Sequence, residues 1–172
     1  MTDDEIRDEL SALVALARHI QDRMLERQMK LATAESCTGG LIGHLLTEIP
    51  GSSDYYVGGV VSYSNALKQS ELGVDSATLE HHGAVSAQTC VAMAEGARHR
   101  YGAEMAVAVT GIAGPGGGSD AKPVGLTYVG VADSEGHDVR RFVWTEDRHG
   151  NKVRSAQAAL ELVLEHLDAP HG

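Results

Sequence analysis

The sequence predicts an α/β fold, a three-layer α/β/α sandwich around a mixed, mostly parallel sheet. Three observations point to it. Strand-like and helix-like apolar patterns alternate through the first two thirds of the chain, as the crossover units of a parallel sheet require. The last two strand-like segments are joined by only a short turn, which makes them antiparallel and the sheet mixed. Glycine clusters stand at the ends of apolar runs, where backbone turns or approaches a ligand.

The elements follow in order. From Asp4 to Gln28, apolar residues at Ile6, Leu10, Leu13, Val14, Ala17, Ile20, Met24 and Leu25 make one stripe of an amphipathic helix. Leu31 to Glu35 is a short apolar strand, followed by the polar turn Ser36-Cys37-Thr38-Gly39-Gly40. A helix with Leu41, Ile42, Leu45, Leu46 and Ile49 then stops at Pro50-Gly51. Gly58 to Ser64, rich in β-branched and aromatic residues, reads as a strand, and a short helix follows from Asn65 to Leu72. His81-His82 falls in a turn-like stretch. Ser86 caps a helix to Arg100 that places Val91, Met93, Ala94 and Ala97 inside. Met105 to Thr110 is a buried strand that runs into a long glycine-rich loop reaching Pro123. Val124 to Ala132 and Asp138 to Trp144 form a hairpin around Ser134-Glu135-Gly136, and Ala156 to Leu167 closes the chain as an amphipathic helix.

Composition bounds the function. The 172 residues suit a single domain, 1–172, with residues 1–28 an additional N-terminal helix. An apolar fraction of 42% and a charged fraction of 22% exclude wholesale disorder. Lys plus Arg is 14 against 24 Asp plus Glu, a formal charge of -10, so the chain is not a non-specific nucleic-acid binder. A small anion held by a few local donors is compatible with that balance. Two cysteines, Cys37 and Cys90, are too few for a disulfide framework or a paired-cysteine metal site. No uncharged stretch reaches the roughly 18 apolar residues of a membrane span, and the acidic start differs from a secretory signal. The expectation is a soluble cytoplasmic domain without membrane contact.

Open α/β sheets bind ligands beyond the carboxyl ends of their strands. Three polar segments fall at such ends: Glu35 to Gly40, then Tyr63-Ser64-Asn65 with Lys68, then Thr110-Gly111 through Gly114, Gly116, Gly117 and Gly118. In the first, a serine on a strand-to-helix turn exposes its hydroxyl beside amides that can hold an anion or a developing oxyanion. Ser36 or Thr38 can equally serve only as a helix cap, and Cys37 is a rival nucleophile. A serine nucleophile needs a base. None of the nine histidines stands in a recognisable motif. Lys68 is the other candidate, provided burial brings its pKa from roughly 10.4 toward neutrality; otherwise it is a solvated helical lysine. The glycine-rich loop lacks the ending of a P-loop and reads as an anion nest or as a surface loop.

Taken together the segments resemble the C-terminal domain of the CinA (competence/damage-inducible protein) family. The matching residues are Ala34-Glu-Ser-Cys-Thr-Gly-Gly40, Tyr63-Ser-Asn65 with Lys68, His82-Gly-Ala-Val-Ser86, Ala108-Val-Thr-Gly-Ile-Ala-Gly-Pro-Gly-Gly-Gly118 and Lys122-Pro-Val-Gly125. The resemblance implies an α/β/α sandwich and a nicotinamide-nucleotide amidase that hydrolyses nicotinamide mononucleotide to nicotinate mononucleotide and ammonia, within cofactor salvage. It places the nucleophile on Ser36, its lysine partner on Lys68 and a nearby tyrosine on Tyr63, which relays a proton or holds the lysine amine. Thr38, Gly39 and Gly40 would supply oxyanion amides. Asn65, Thr110, Gly111, Gly114, Gly116, Gly117 and Arg148 would bind the substrate, Arg148 at its phosphate or else in a surface salt bridge. No metal or cofactor is implied. The alternative is a non-catalytic nucleotide-binding or adaptor module. The first helix packs or oligomerises, and a homo-oligomer is expected.

Overall fold

The structure is a computed structural model that describes residues 3–169, with side chains from Leu10 onward. Ile6, part of the predicted stripe, has its side chain outside the described residues. The elements are α1 (Asp3–Glu26), β1 (Leu31–Glu35), α2 (Leu41–Thr47), a single 3-10 turn (Ser52–Asp54), β2 (Tyr56–Val61), α3 (Asn65–Leu72), α4 (Ser76–His82), α5 (Ala87–Tyr101), β3 (Met105–Gly111), β4 (Leu126–Ala132), β5 (His137–Val143) and α6 (Arg148–Asp168). The five strands form one sheet in the order β2-β1-β3-β4-β5. β2, β1 and β3 run parallel, with Thr33 opposite Val107 and Gly59; β4 and β5 are antiparallel additions. The predicted mixed sandwich is what the chain forms.

Strand β3 shows why the two faces differ. Met105, Val107 and Val109 point to one face, where α1, α2 and α6 lay down Leu13, Ile20, Leu45, Leu160 and Val163. Ala106 and Ala108 point to the other, where α5 brings Cys90, Met93, Ala94 and Ala97. Large residues on one side and alanines on the other let α5 lie close to the sheet while three helices cover the wider face. The same crowding reaches α3. A β-carbon at Gly96 would lie 1.9 Å from the Leu72 carbonyl oxygen, so α5 and the end of α3 touch backbone to backbone. Gly96→Ala is expected to cost about 1–3 kcal/mol through forced separation of these helices. The checking measurement is a lower urea midpoint at unchanged m-value.

The apolar stripe of α1 is taken up in part within the chain: Leu13, Ala17, Ile20 and Met24 are buried, against α2 and α6, whereas Leu10 and Leu25 are exposed. No helix among the described residues is long and apolar enough to cross a membrane.

Three boundaries differ from the sequence expectation. The turn-like stretch at His81-His82 is the last turn of α4, which the Asp75 side chain caps by accepting the Ala77 N–H at 3.2 Å. β2 begins at Tyr56 and ends at Val61, ahead of the expected Gly58 to Ser64. α6 starts at Arg148 rather than Ala156, because Asp147 accepts the Gly150 N–H at 2.8 Å and sets the helix going eight residues earlier. Its first turns carry Gly150, Asn151 and Ser155, which conceal the apolar period. Asn151 and Ser155 are buried nonetheless, Asn151 donating to the Ala113 carbonyl and Ser155 receiving the Trp144 indole N–H.

Candidate active site

The parallel strands deliver the site at their carboxyl ends. β1 ends at Glu35, and the Ser36 N–H still pairs with the Val109 carbonyl of β3 at 3.0 Å before the chain turns into α2. Ser36 is therefore fixed by the sheet, with its hydroxyl turned toward α3. Lys68 comes from that helix, whose first turn Ser64 caps by accepting the Leu67 N–H. Lys68 is 1% exposed, and its Nζ stands 3.1 Å from Ser36 Oγ and 2.6 Å from the Ser62 carbonyl oxygen. Among the described residues no carboxylate pairs with it. Burial accordingly pushes its pKa down from the ordinary lysine value. A buried amine without a counter-charge, on a serine hydroxyl, can accept that hydroxyl's proton.

The sequence reading missed Glu35 as a functional residue. Its carboxylate is 2% exposed and accepts four hydrogen bonds: the Thr38 hydroxyl at 2.7 Å and the N–H groups of Gly40, Ile42 and Gly43 at 3.0, 3.1 and 2.9 Å. One charge thus fills the positive end of α2 and clamps the serine turn from behind. The available signal was a lone acid ending an otherwise apolar strand, just before a serine and two glycines. Gly40, at φ 99°, makes the left-handed step that brings these amides round to the carboxylate.

This arrangement redistributes the expected oxyanion donors. Gly40 N–H goes to Glu35, and Gly39 N–H goes to the Ser36 carbonyl at 3.0 Å. The backbone N–H of Thr38 has no acceptor among the described residues, so of the three it alone is not already engaged. Cys37, the rival nucleophile, is buried, and desolvation pushes its thiol up to about 12, leaving no thiolate near neutral pH.

The remaining predicted residues divide. Tyr63 is exposed, and its hydroxyl receives a hydrogen bond from Arg148 at 3.0 Å; the lysine amine is held instead by the Ser62 carbonyl. Arg148 also donates to the Gly114 carbonyl at 2.7 Å, so it ties the glycine-rich loop to the segment before α3. Thr110 is buried and gives its hydroxyl proton to the Ala84 carbonyl at 2.7 Å, which leaves it no proton for a phosphate. Gly111 lies against the turn, where a β-carbon would come within 3.0 Å of Cys37 Sγ. Asn65 is exposed at the start of α3, and Gly116 and Gly117 are exposed in the loop. A cavity of about 710 Å³ adjoins this cluster, lined among others by Ala113, Pro115, Val124, Asp147, Arg148 and Lys152. Ser36 and Lys68 are not among its lining residues. Arg148 links it to Tyr63, and Lys152, whose Nζ reaches Gly39, links it to the serine turn.

Comparison with known proteins gives matches over most of the chain. The family model described as the CinA C-terminal domain matches residues 13–167. A CinA-like protein of Salinibacter ruber is 51% identical over 148 residues, covering 86% of this chain and 36% of that protein. One from Chlorobaculum tepidum is 48% identical over 159 residues, covering 90% and 38%. The chain thus spans less than two fifths of the length of these two relatives. The crystal structure of the competence/damage inducible protein CihA from Agrobacterium tumefaciens superposes with a TM-score of 0.85 at 44% identity, covering 91% of this chain and 96% of that one. The competence damage-inducible protein A of Klebsiella pneumoniae gives 0.89 at 30%, covering 92% and 99%.

Proposed function

The chain belongs to the CinA C-terminal domain family, and on that premise we propose that it is a nicotinamide-nucleotide amidase working through a Ser36–Lys68 dyad. The observation that carries this reading is the buried, uncompensated Lys68 amine at 3.1 Å from the Ser36 hydroxyl. A structural lysine would be expected to reach solvent or a carboxylate.

In the proposed reaction neutral Lys68 takes the Ser36 proton as Oγ attacks the carboxamide carbon of nicotinamide mononucleotide. The Thr38 N–H faces the oxyanion, a contact of the kind worth about 2.7–4 kcal/mol in the barrier. As the tetrahedral species collapses, the Lys68 ammonium returns its proton to the nitrogen that leaves as ammonia. Water, deprotonated by Lys68 in turn, then cleaves the Ser36 ester and frees nicotinate mononucleotide. The Ser62 carbonyl holds the amine on the serine through both half-reactions. The glycine-rich loop and Arg148 stand at the phosphate end of the substrate, beside the cavity.

Purified protein incubated with nicotinamide mononucleotide is expected to release ammonia and nicotinate mononucleotide in equal amounts. Tight binding of the mononucleotide without any ammonia would replace this reading by a nucleotide-binding module.

A further inference from the structure

Arg148 is not the free cation of this site. Two of its N–H groups are engaged by the Gly114 carbonyl and the Tyr63 hydroxyl, so it serves partly as a strut between the loop and the chain before α3. The acids beside it are engaged too: Glu146 lies 3.7 Å from Arg154, and Asp147 caps α6 on Gly150 N–H. The N-terminal amides of α2 are filled by Glu35. Lys152, one turn further along α6, differs from all of these. It is half-buried, it lines the cavity, and its Nζ stands 3.7 Å from where a β-carbon on Gly39 would lie. Among the described residues its ammonium has no hydrogen-bond or ion-pair partner.

We infer that Lys152 is a specificity-determining residue, the ammonium that lets this site prefer a phosphate monoester over the same molecule without its phosphate. The inference rests on the amidase reading and adds to it a residue that the sequence motifs did not mark. A phosphate monoester carries close to two negative charges near neutral pH. Arg148 neutralises one and is held in place by its other contacts. Lys152 supplies the second, from the wall that leads to the serine turn. In a chain of net charge -10, an anion reaches this site only through local cations.

The test compares Lys152→Ala and Lys152→Arg with wild type on nicotinamide mononucleotide and on nicotinamide riboside, which lacks the phosphate. Binding of nicotinate mononucleotide is measured alongside by calorimetry. The expected result for Lys152→Ala is a KM for the mononucleotide raised about 10- to 100-fold, as loss of a charge-assisted contact gives. kcat changes little, and the preference for mononucleotide over riboside shrinks by a similar factor. Lys152→Arg recovers most of that preference. Equal losses on both substrates, or none on either, would overturn the inference. If wild type binds the mononucleotide without turning it over, the amidase reading fails alone, and weaker binding by Lys152→Ala still upholds the role of Lys152. If wild type neither binds nor turns over the mononucleotide, both fail.

Discussion

Replacing Lys68 by methionine is expected to lower kcat for ammonia release at least about 1,000-fold, because one group is lost as base and as acid in both half-reactions. The fold should survive. The variant leaves the Ser62 carbonyl and the Ser36 hydroxyl without a partner, a cost of about 1–3 kcal/mol. It also removes a desolvated amine that no carboxylate compensates, so the net change stays within about 2 kcal/mol. The pH dependence carries a sharper signature. Burial lowers the folded-state pKa of Lys68 below its value in the unfolded chain. The wild-type kcat/KM should therefore rise with pH as Lys68 loses its proton, with a midpoint below that of an ordinary lysine. Between the folded and unfolded pKa values the unfolded chain binds one proton more. The contribution of Lys68 to stability is present in full above the unfolded pKa and is lost as pH falls through the folded one. Urea titrations across this window should show that slope in wild type and not in Lys68→Met. A slope that persists in the variant would remove Lys68 as its origin.

The second large effect falls on a residue that touches no reacting atom. Glu35→Ala strips the partner from three N–H groups, that of Ile42 buried and those of Gly40 and Gly43 half-buried, and from the Thr38 hydroxyl at once. The expected loss is about 3–5 kcal/mol, since each orphaned donor carries a desolvation cost and the positive end of α2 loses its charge. Glu35→Gln keeps the shape but turns an NH2 against donors on one side. It should retain the fold, lose less stability than Glu35→Ala, and lower kcat more than it raises KM, because the serine turn loosens while the cavity is untouched. Urea midpoints and steady-state kinetics on the two variants check this. A Glu35→Gln enzyme with wild-type kcat would show that the clamp is structural only.

These residues also mark how far the sequence was legible. Alternating apolar periods were enough for the layers and for the helices capped by Ser64 and Ser86, because pattern and cap signal the same boundary. The start of α6 was not, because Asn151 and Ser155 are buried through hydrogen bonds rather than apolar contact, and a periodicity of hydrophobic residues cannot register them. At the site, residue types and their spacing marked Ser36 and Lys68 as candidates but could not say that the lysine points inward. That depends on Ser62, a carbonyl six residues upstream whose direction is set by the path of the chain out of β2. Glu35 was hidden in the same way: its role exists only once α2 turns its amides back over the end of β1. The expected oxyanion amides of Gly39 and Gly40 were legible as amides, yet the tertiary fold engages both elsewhere.

The most direct test of the dyad is ammonia release from nicotinamide mononucleotide by wild type and Ser36→Ala at matched concentration, with binding of the mononucleotide measured for both. The account predicts steady turnover by wild type and a loss of at least about 1,000-fold in a Ser36→Ala protein that still binds. Turnover that survives the loss of the Ser36 hydroxyl would contradict it.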